Sequence, residues 1–481
     1  MASMITVDFE NCFIFVLLCL LSRLFYDLFF RKPKDSRAGC DFPPSPPSLP
    51  IIGHLHLILF VPIHQSFQKI ASRYGPLLHL RFFHFPIVLV SSPSMAYEIF
   101  KAQDVNVSSR PPPPIEESLI LGSSSFINTP YGDYSKFMKK FMVQKLLGPQ
   151  ALQQSRKIRA DELDRFYKNL VDKAMKKECV EIRNEAMKLT NNTICKMIMG
   201  RSCSEENGEA ETVRGLVTES IFLTKKHFLG AMFHKPLKKL GISLFAKELM
   251  SVSNKFDELL EKILVEHEEK LQEHHQSIDM LDMLLEAYGD ENAEYKITRD
   301  QIKSLFVDLF SAGTEASANT IQWTMAEIIN NPKISERLRE EIDSVVGPVV
   351  RTFQETCEIK GFYIPEKTRL FVNVYAIMRD PDFWEDPEEF KPERFLASSR
   401  LGKEDEKRED MLKYIPFGSG RRACPGSHLA YAVVGSVIGV MVQNFDWRIK
   451  GEKINMKEGG TMTLTMAHPL QCTPVPRALN T

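Results

Sequence analysis

Phe417-Gly-Ser-Gly-Arg-Arg-Ala-Cys424-Pro-Gly426 decides how the rest of this chain is read. It leads into an apolar segment, 428–442, with a helical pattern. A cysteine at the mouth of a helix faces the positive end of the dipole, which favours thiolate over thiol. Gly418, Gly420 and Gly426 allow tight turns, so backbone amides can point at the sulfur and spread its charge. Arg421 and Arg422 add forked cations suited to carboxylates. A lone Gly-x-Cys would be a buried structural cysteine in a turn. The density of special residues here makes Cys424 a candidate metal ligand.

The composition bounds the possibilities. The 481 residues carry 61 basic and 62 acidic side chains, a net charge of -1, so nucleic acid is not an expected partner. Nine cysteines show no CxxC or zinc-finger spacing. Neither a disulfide framework nor structural zinc is expected, and a reducing compartment suits most of the chain. The sequons at Asn106 and Asn191 are then chance matches.

Positions 9–30 are dominated by Phe, Leu, Ile, Val and Cys, long enough to cross a ~30 Å hydrocarbon core as a helix. Arg23 and Asp27 stand four apart and can pair on one face. Asp8 and Glu10 precede the run, and Arg31, Lys32, Lys34 and Arg37 follow it, which places the remainder in the cytosol. A cleaved signal would need a small-x-small site after the apolar run, and Arg, Tyr, Asp and Phe stand there instead. The expected organisation is an anchor over 1–30, a basic and proline-rich hinge over 31–53, and one domain over 54–481. The prolines of 43–50 cannot donate ladder hydrogen bonds and predict an extended spacer.

Strand-like runs occur at 77–83, 87–91 and 369–374, while three- and four-residue apolar steps predict helices over 161–179 and 255–273. A long apolar helix is expected over 302–330, continuing through Asn331-Pro332 into a charged helix over 333–346. Charged stretches at 204–211 and 403–410 are expected to be solvated loops. The fold class is mainly α with a minor β component.

The positions Phe417, Gly420, Arg422, Cys424 and Gly426 match the haem-binding signature of the cytochrome P450 family, which the chain resembles over nearly its whole length. The anchor, proline hinge, oxygen-activation helix, Phe390-Lys-Pro-Glu-Arg394-Phe395 segment and thiolate loop occur in the family's order. The set is similar to that of plant endoplasmic-reticulum enzymes, particularly the subfamily of thalianol- and triterpenoid-modifying enzymes. The resemblance implies haem b (iron protoporphyrin IX) ligated by Cys424, with Phe417, Gly418, Arg422 and Gly426 around it. It further implies insertion of one oxygen atom from O2 into an apolar, triterpenoid-like substrate. Electrons would come from NADPH through NADPH-cytochrome P450 reductase. The location it implies is the endoplasmic reticulum membrane, single-pass, with the catalytic domain facing the cytosol.

The same resemblance puts Ala312-Gly313-Thr314-Glu315-Ala316-Ser317 over the distal haem face. There Ala312 and Gly313 let the helix approach a flat ring, while Thr314, Glu315 and Ser317 are the candidate proton-relay groups. The family's usual Thr is replaced by Ala316, and Ser317 lies about 100° further round the helix. The early helix carries Lys139 where an arginine fork is usual and Ser135 where Trp is usual, which predicts weaker haem retention by ~1–3 kcal/mol. Arg351 resembles another propionate ligand. Pocket segments are expected at 105–126, 312–317, 348–353 and 460–468.

One part of the pattern is broken. The family's Glu-x-x-Arg helix, a partner for Arg394, is missing between Gly347 and Pro348, a segment on the order of 35 residues or ~50 Å of helix. Glu336 and Arg339 fit the spacing but lie in a charged, solvated helix face. Arg394 is therefore expected to lack its usual partners. Two alternatives to monooxygenation follow: a haem-thiolate isomerase or dehydratase, which Ala316 permits, and a haem-poor, catalytically impaired variant.

Overall fold

The structure, a computed structural model, describes residues 41–58, 62–83, 85–111, 118–120, 122–200, 209–231, 245–272, 279–332, 349–395, 412–459 and 464–477. The expected anchor over 1–30, the charged helix over 333–346 and the loop over 403–410 lie outside them. Among the described residues no helix is long and apolar enough to cross a membrane.

Helices α1 (Ile63–Tyr74) and α2 (Pro93–Ala102) flank a hairpin of β1 (Leu77–Phe82) and β2 (Phe85–Val90). Next come α3 (Asp133–Phe141), α4 (Pro149–Gln154) and α5 (Arg156–Met175). Strand β3 (Val180–Glu181) leads into α6 (Ile182–Met199), followed by α7 (Glu209–Ala231), α8 (Ala246–Gln272), α9 (Met280–Gly289) and α10 (Arg299–Asn330). The C-terminal part contains β4 (Val349–Thr352), β5 (Cys357–Ile359), β6 (Phe362–Ile364), β7 (Arg369–Val372) and α11 (Val374–Ile377). It ends with α12 (Ser427–Asn444), β8 (Phe445–Arg448) and β9 (Gln471–Pro476).

Helix α10 organises the molecule. Thr298 and Gln301 cap its start reciprocally: Gln301 N–H donates to Thr298 Oγ1 at 3.2 Å and Thr298 N–H to Gln301 Oε1 at 3.0 Å. Its first half buries Ile302, Leu305, Phe306 and Phe310 in one core, and its second half buries Ala318, Ile321 and Met325 in another with Val437, Ile438 and Met441 of α12. Such a helix is apolar on more than one face because it is enclosed. Each buried Phe contributes about 1.5–3 kcal/mol.

The expected continuation through Asn331 does not occur. Helix α10 stops at Asn330, and Asn331 adopts φ -126° and ψ 71°. Pro332 excludes helical geometry from the residue before it, so a break was physically favoured. Glu209–Glu211, expected in a loop, begin α7.

Two pieces of β-structure position the site. The four-stranded sheet has the order β1-β2-β7-β4, with β2 parallel to β7 and β4 antiparallel to it. An isolated bridge joins Ser109 to Thr352, which brings the segment after α2 against β4. Residues 43–48 of the proline-rich stretch form neither helix nor strand, and the stretch is tied to the domain. His79 N–H donates to Pro44 O at 2.9 Å, and Tyr363 N–H donates to Asp41 O at 2.9 Å.

Candidate active site around Cys424

The thiolate loop folds as its glycines dictate. Gly418 and Gly420 sit at φ 71° and 69°, conformations that glycine adopts without strain. At Gly420 an added Cβ would stand 2.2 Å from Asp104 Oδ1, so the close approach of Asp104 also requires glycine. Cys424 N–H donates to Phe417 O at 3.0 Å, closing the loop, and the Phe417 ring meets Tyr431 of α12 edge-on at 5.0 Å. Gly426 forms the N-cap of α12 two residues after the cysteine.

Cys424 is exposed. Protein packed around it still desolvates a thiolate and pushes the thiol above its usual value, while the Gly426 amide and the Lys139 ammonium pull it down. The thiolate preference expected from the helix mouth is therefore reversed in the polypeptide alone, because desolvation outweighs the amide and the cation. A bound cation inverts that balance and deprotonates the thiol outright.

Around the loop lies a cluster of cations that sequence reading identified only in part. Arg351 of β4 is fully buried and leaves Nε and Nη1 without a partner, its Nη2 donating to Ser419 O at 2.5 Å. Arg110 donates Nη1 to Val350 O at 3.0 Å and leaves Nε unpartnered. Desolvation, then Arg110, pulls Arg351 down to about 10, with Asp104 opposing. The same two causes pull Arg422 down to about 10. Partial burial lowers Lys139, whose Nζ donates to Arg421 O at 2.5 Å. Arg421 pairs with Asp104, Nε to Oδ2, at 3.2 Å.

Buried cations this poorly neutralised are costly, and a planar ligand carrying carboxylates would satisfy them. The residues therefore fit haem: an exposed cysteine sulfur, an amide directed at it, and unmade guanidinium donors beside it. Arg110 was missed in the sequence because a single arginine before a proline run carries no periodic signal. Only the bridge from Ser109 to Thr352 brings it to Arg351.

Arg422 behaves differently from expectation. Its Nε donates to Ser108 O at 2.6 Å, Nη1 to Phe126 O at 3.2 Å, and Nη2 to Thr129 O. It holds the loop between α2 and α3 instead of pointing free donors at a ligand. Ser135 in α3 exchanges hydrogen bonds with Gly132, accepting from its N–H at 2.9 Å and donating to its carbonyl at 2.8 Å. The residue standing for the usual Trp has become a helix cap. An open cavity of about 450 Å3 is walled by Phe126, Ser135, Lys139, Arg421 and Arg422 among others.

The motif on α10 is divided between two faces. Ala312 and Ala316 are exposed and four apart, forming one small-residue stripe, with Ser317 half-buried beside it. Thr314 and Glu315 are buried on the other side. Glu315 Oε1 pairs with Arg183 Nη2 of α6 at 3.3 Å, and Thr190 Oγ1 reaches Thr314 O at 3.5 Å. An added Cβ on Gly313 would stand 2.4 Å from Ile194 Cδ1. The glycine thus accommodates the neighbouring helix α6, a role the sequence reading had given to approach of a flat ring.

Arg394 is held by its own segment. It donates to the carbonyls of Lys391, Glu385, Asp386 and Glu389 at 3.1–3.2 Å and lies over the Trp384 ring at 5.7 Å. Backbone oxygens replace the carboxylate partner expected from the missing helix.

Comparison with known proteins agrees with this geometry. The family profile described as Cytochrome P450 matches residues 43–352 and 348–474. The chain is 88% identical over 511 aligned positions to Cytochrome P450 705A5 of Arabidopsis thaliana, covering all of both chains. It is 62% identical to Cytochrome P450 705A22 of the same plant, over 99% of each. Identity to 3,9-dihydroxypterocarpan 6A-monooxygenase of Glycine max is 35%, over 96% of this chain and 98% of the other. The family match divides at the junction after Gly347, and 511 aligned positions against 481 residues leave 30 without a counterpart here.

Proposed function

The chain belongs to the cytochrome P450 family of haem monooxygenases, and from that premise we propose that it oxygenates an apolar, triterpenoid-like substrate with electrons passed from NADPH by a membrane-bound reductase. The observation that carries the reading is Arg351, fully buried and unpartnered at two donors, beside the loop of Cys424.

Bound haem supplies the activation of dioxygen for insertion into a C–H bond. Cys424, at the mouth of α12, would hold its metal, and the Gly426 amide at the sulfur would temper the charge donated. Arg351, Arg110 and Lys139 would receive the haem carboxylates. The stripe of Ala312 and Ala316 leaves room for an apolar substrate, and Ser317 is the adjacent hydroxyl. An anchor over 1–30 would keep the pocket beside the membrane, where such a substrate partitions.

The test is the reduced carbon monoxide difference spectrum of purified full-length protein supplied with haem. A band at about 450 nm is expected, and it is lost in Cys424→Ala. A spectrum shared by the two proteins would overturn the assignment. Product formation that needs neither NADPH nor O2 would favour isomerisation over oxygenation.

A further inference from the structure

Asp308 is a buried carboxylate that the oxygenation chemistry does not use. It lies on α10, 6% exposed, and receives Ser125 Oγ at 2.9 and 3.1 Å and the Ile127 amide at 3.2 Å. The Phe126 amide bonds to it as well. Its donors are neutral, and no cation pairs with it among the described residues. Among the described residues the titratable groups near it are Tyr134 of α3, whose hydroxyl donates to Ser124 O at 2.8 Å, and Tyr295, packed on Tyr134 at 5.6 Å. Arg422 stands on the far side of the same turn, at the carbonyls of Phe126 and Thr129. Residues 125–129 therefore form one turn, closed by Thr129 N–H to Ser125 O at 3.0 Å, with Asp308 at its amide end and Arg422 at its carbonyl end.

We propose that Asp308 is a positioning residue, a protonation-sensitive latch that seats the 125–129 turn on α10 and through it fixes Arg422 beside the thiolate loop. The link to the haem edge rests on the haem-thiolate reading; the latch itself does not. A carboxylate enclosed without a counter-ion is disfavoured when ionised, and lifting the turn returns it to water. Burial pushes Asp308 up to about 7, against its three hydrogen bonds. The hydrated, open form titrates at about 3.9. The closed form thus binds the proton more tightly, so closure is strongest at low pH and weakens as pH rises from about 4 through 7.

Hydrogen exchange of the full-length protein, corrected for intrinsic rates and read on peptides covering 118–131 and 417–426, tests this between about pH 5 and 8. In the wild type, protection of the turn falls at least about tenfold as pH rises through this range. Asp308→Asn, a permanently neutral analogue, keeps the low-pH protection throughout. Ser125→Ala removes a donor that stabilises the carboxylate anion, so the fall moves to higher pH. A flat wild-type curve overturns the latch, as does a variant curve superimposable on the wild type for both substitutions. The carbon monoxide spectrum of the same samples judges the haem reading separately: loss of its band leaves the exchange curves standing, and flat curves leave the band standing.

Discussion

Lys139 shows how one side chain sets the strength of a cofactor site. Its ammonium is a point charge engaged with Arg421 O, where a guanidinium would offer a fork. Lys139→Arg is expected to slow haem transfer to an acceptor globin by about tenfold, equivalent to ~1.4 kcal/mol. An unchanged transfer rate would mean that Arg351 and Arg110 already satisfy the carboxylates. The resemblance named Cys424, Arg351 and Lys139 together, and the structure brings Arg351 and Lys139 to carbonyls of the loop that carries Cys424. The direction of the Cys424 shift was not legible in the sequence, since it depends on how much protein surrounds the sulfur. Nor was the engagement of Arg422 with three carbonyls, which come from a distant loop.

At the scale of elements, the contact between α6 and α10 is set by Gly313 and Ile194. Gly313→Ala places a methyl against Ile194 Cδ1, the movable end of a side chain, and helix propensity offsets the contact, so the net change in stability is expected to stay within about 1 kcal/mol, read from thermal or urea unfolding. Combined with Ile194→Ala, whose own cavity costs stability, the double variant should lose less than the sum of the two single losses, and strict additivity would show that the two side chains do not meet. The existence of α10 could be read from its apolar periodicity and its Thr298–Gln301 cap. Its division into an Ala312–Ala316 stripe and a buried Thr314–Glu315 side could not. A helix buried on several faces has no strong apolar direction in its sequence, so its neighbours decide which side each residue serves.

For the whole molecule, the junction after Gly347 is the decisive feature. The alignment to the 88%-identical relative has 30 positions without a counterpart here, and the family match divides between residues 348 and 352. Inserting the corresponding residues of a relative between Gly347 and Pro348 is expected to raise haem occupancy and to raise the melting temperature by more than about 2 °C. Equal haem content in both proteins would show that the backbone carbonyls around Arg394 suffice. The sequence by itself determined the family and the glycine-rich loop around Cys424 that identifies it, because these are carried by residue types at fixed spacing along the chain. Tertiary structure alone decided that Arg110 joins Arg351, that Arg422 clamps a loop, and that Asp308 is enclosed without a counter-ion among the described residues. Those properties depend on burial and on contacts between residues far apart in the chain, and burial sets the energy of a charge more strongly than its identity does.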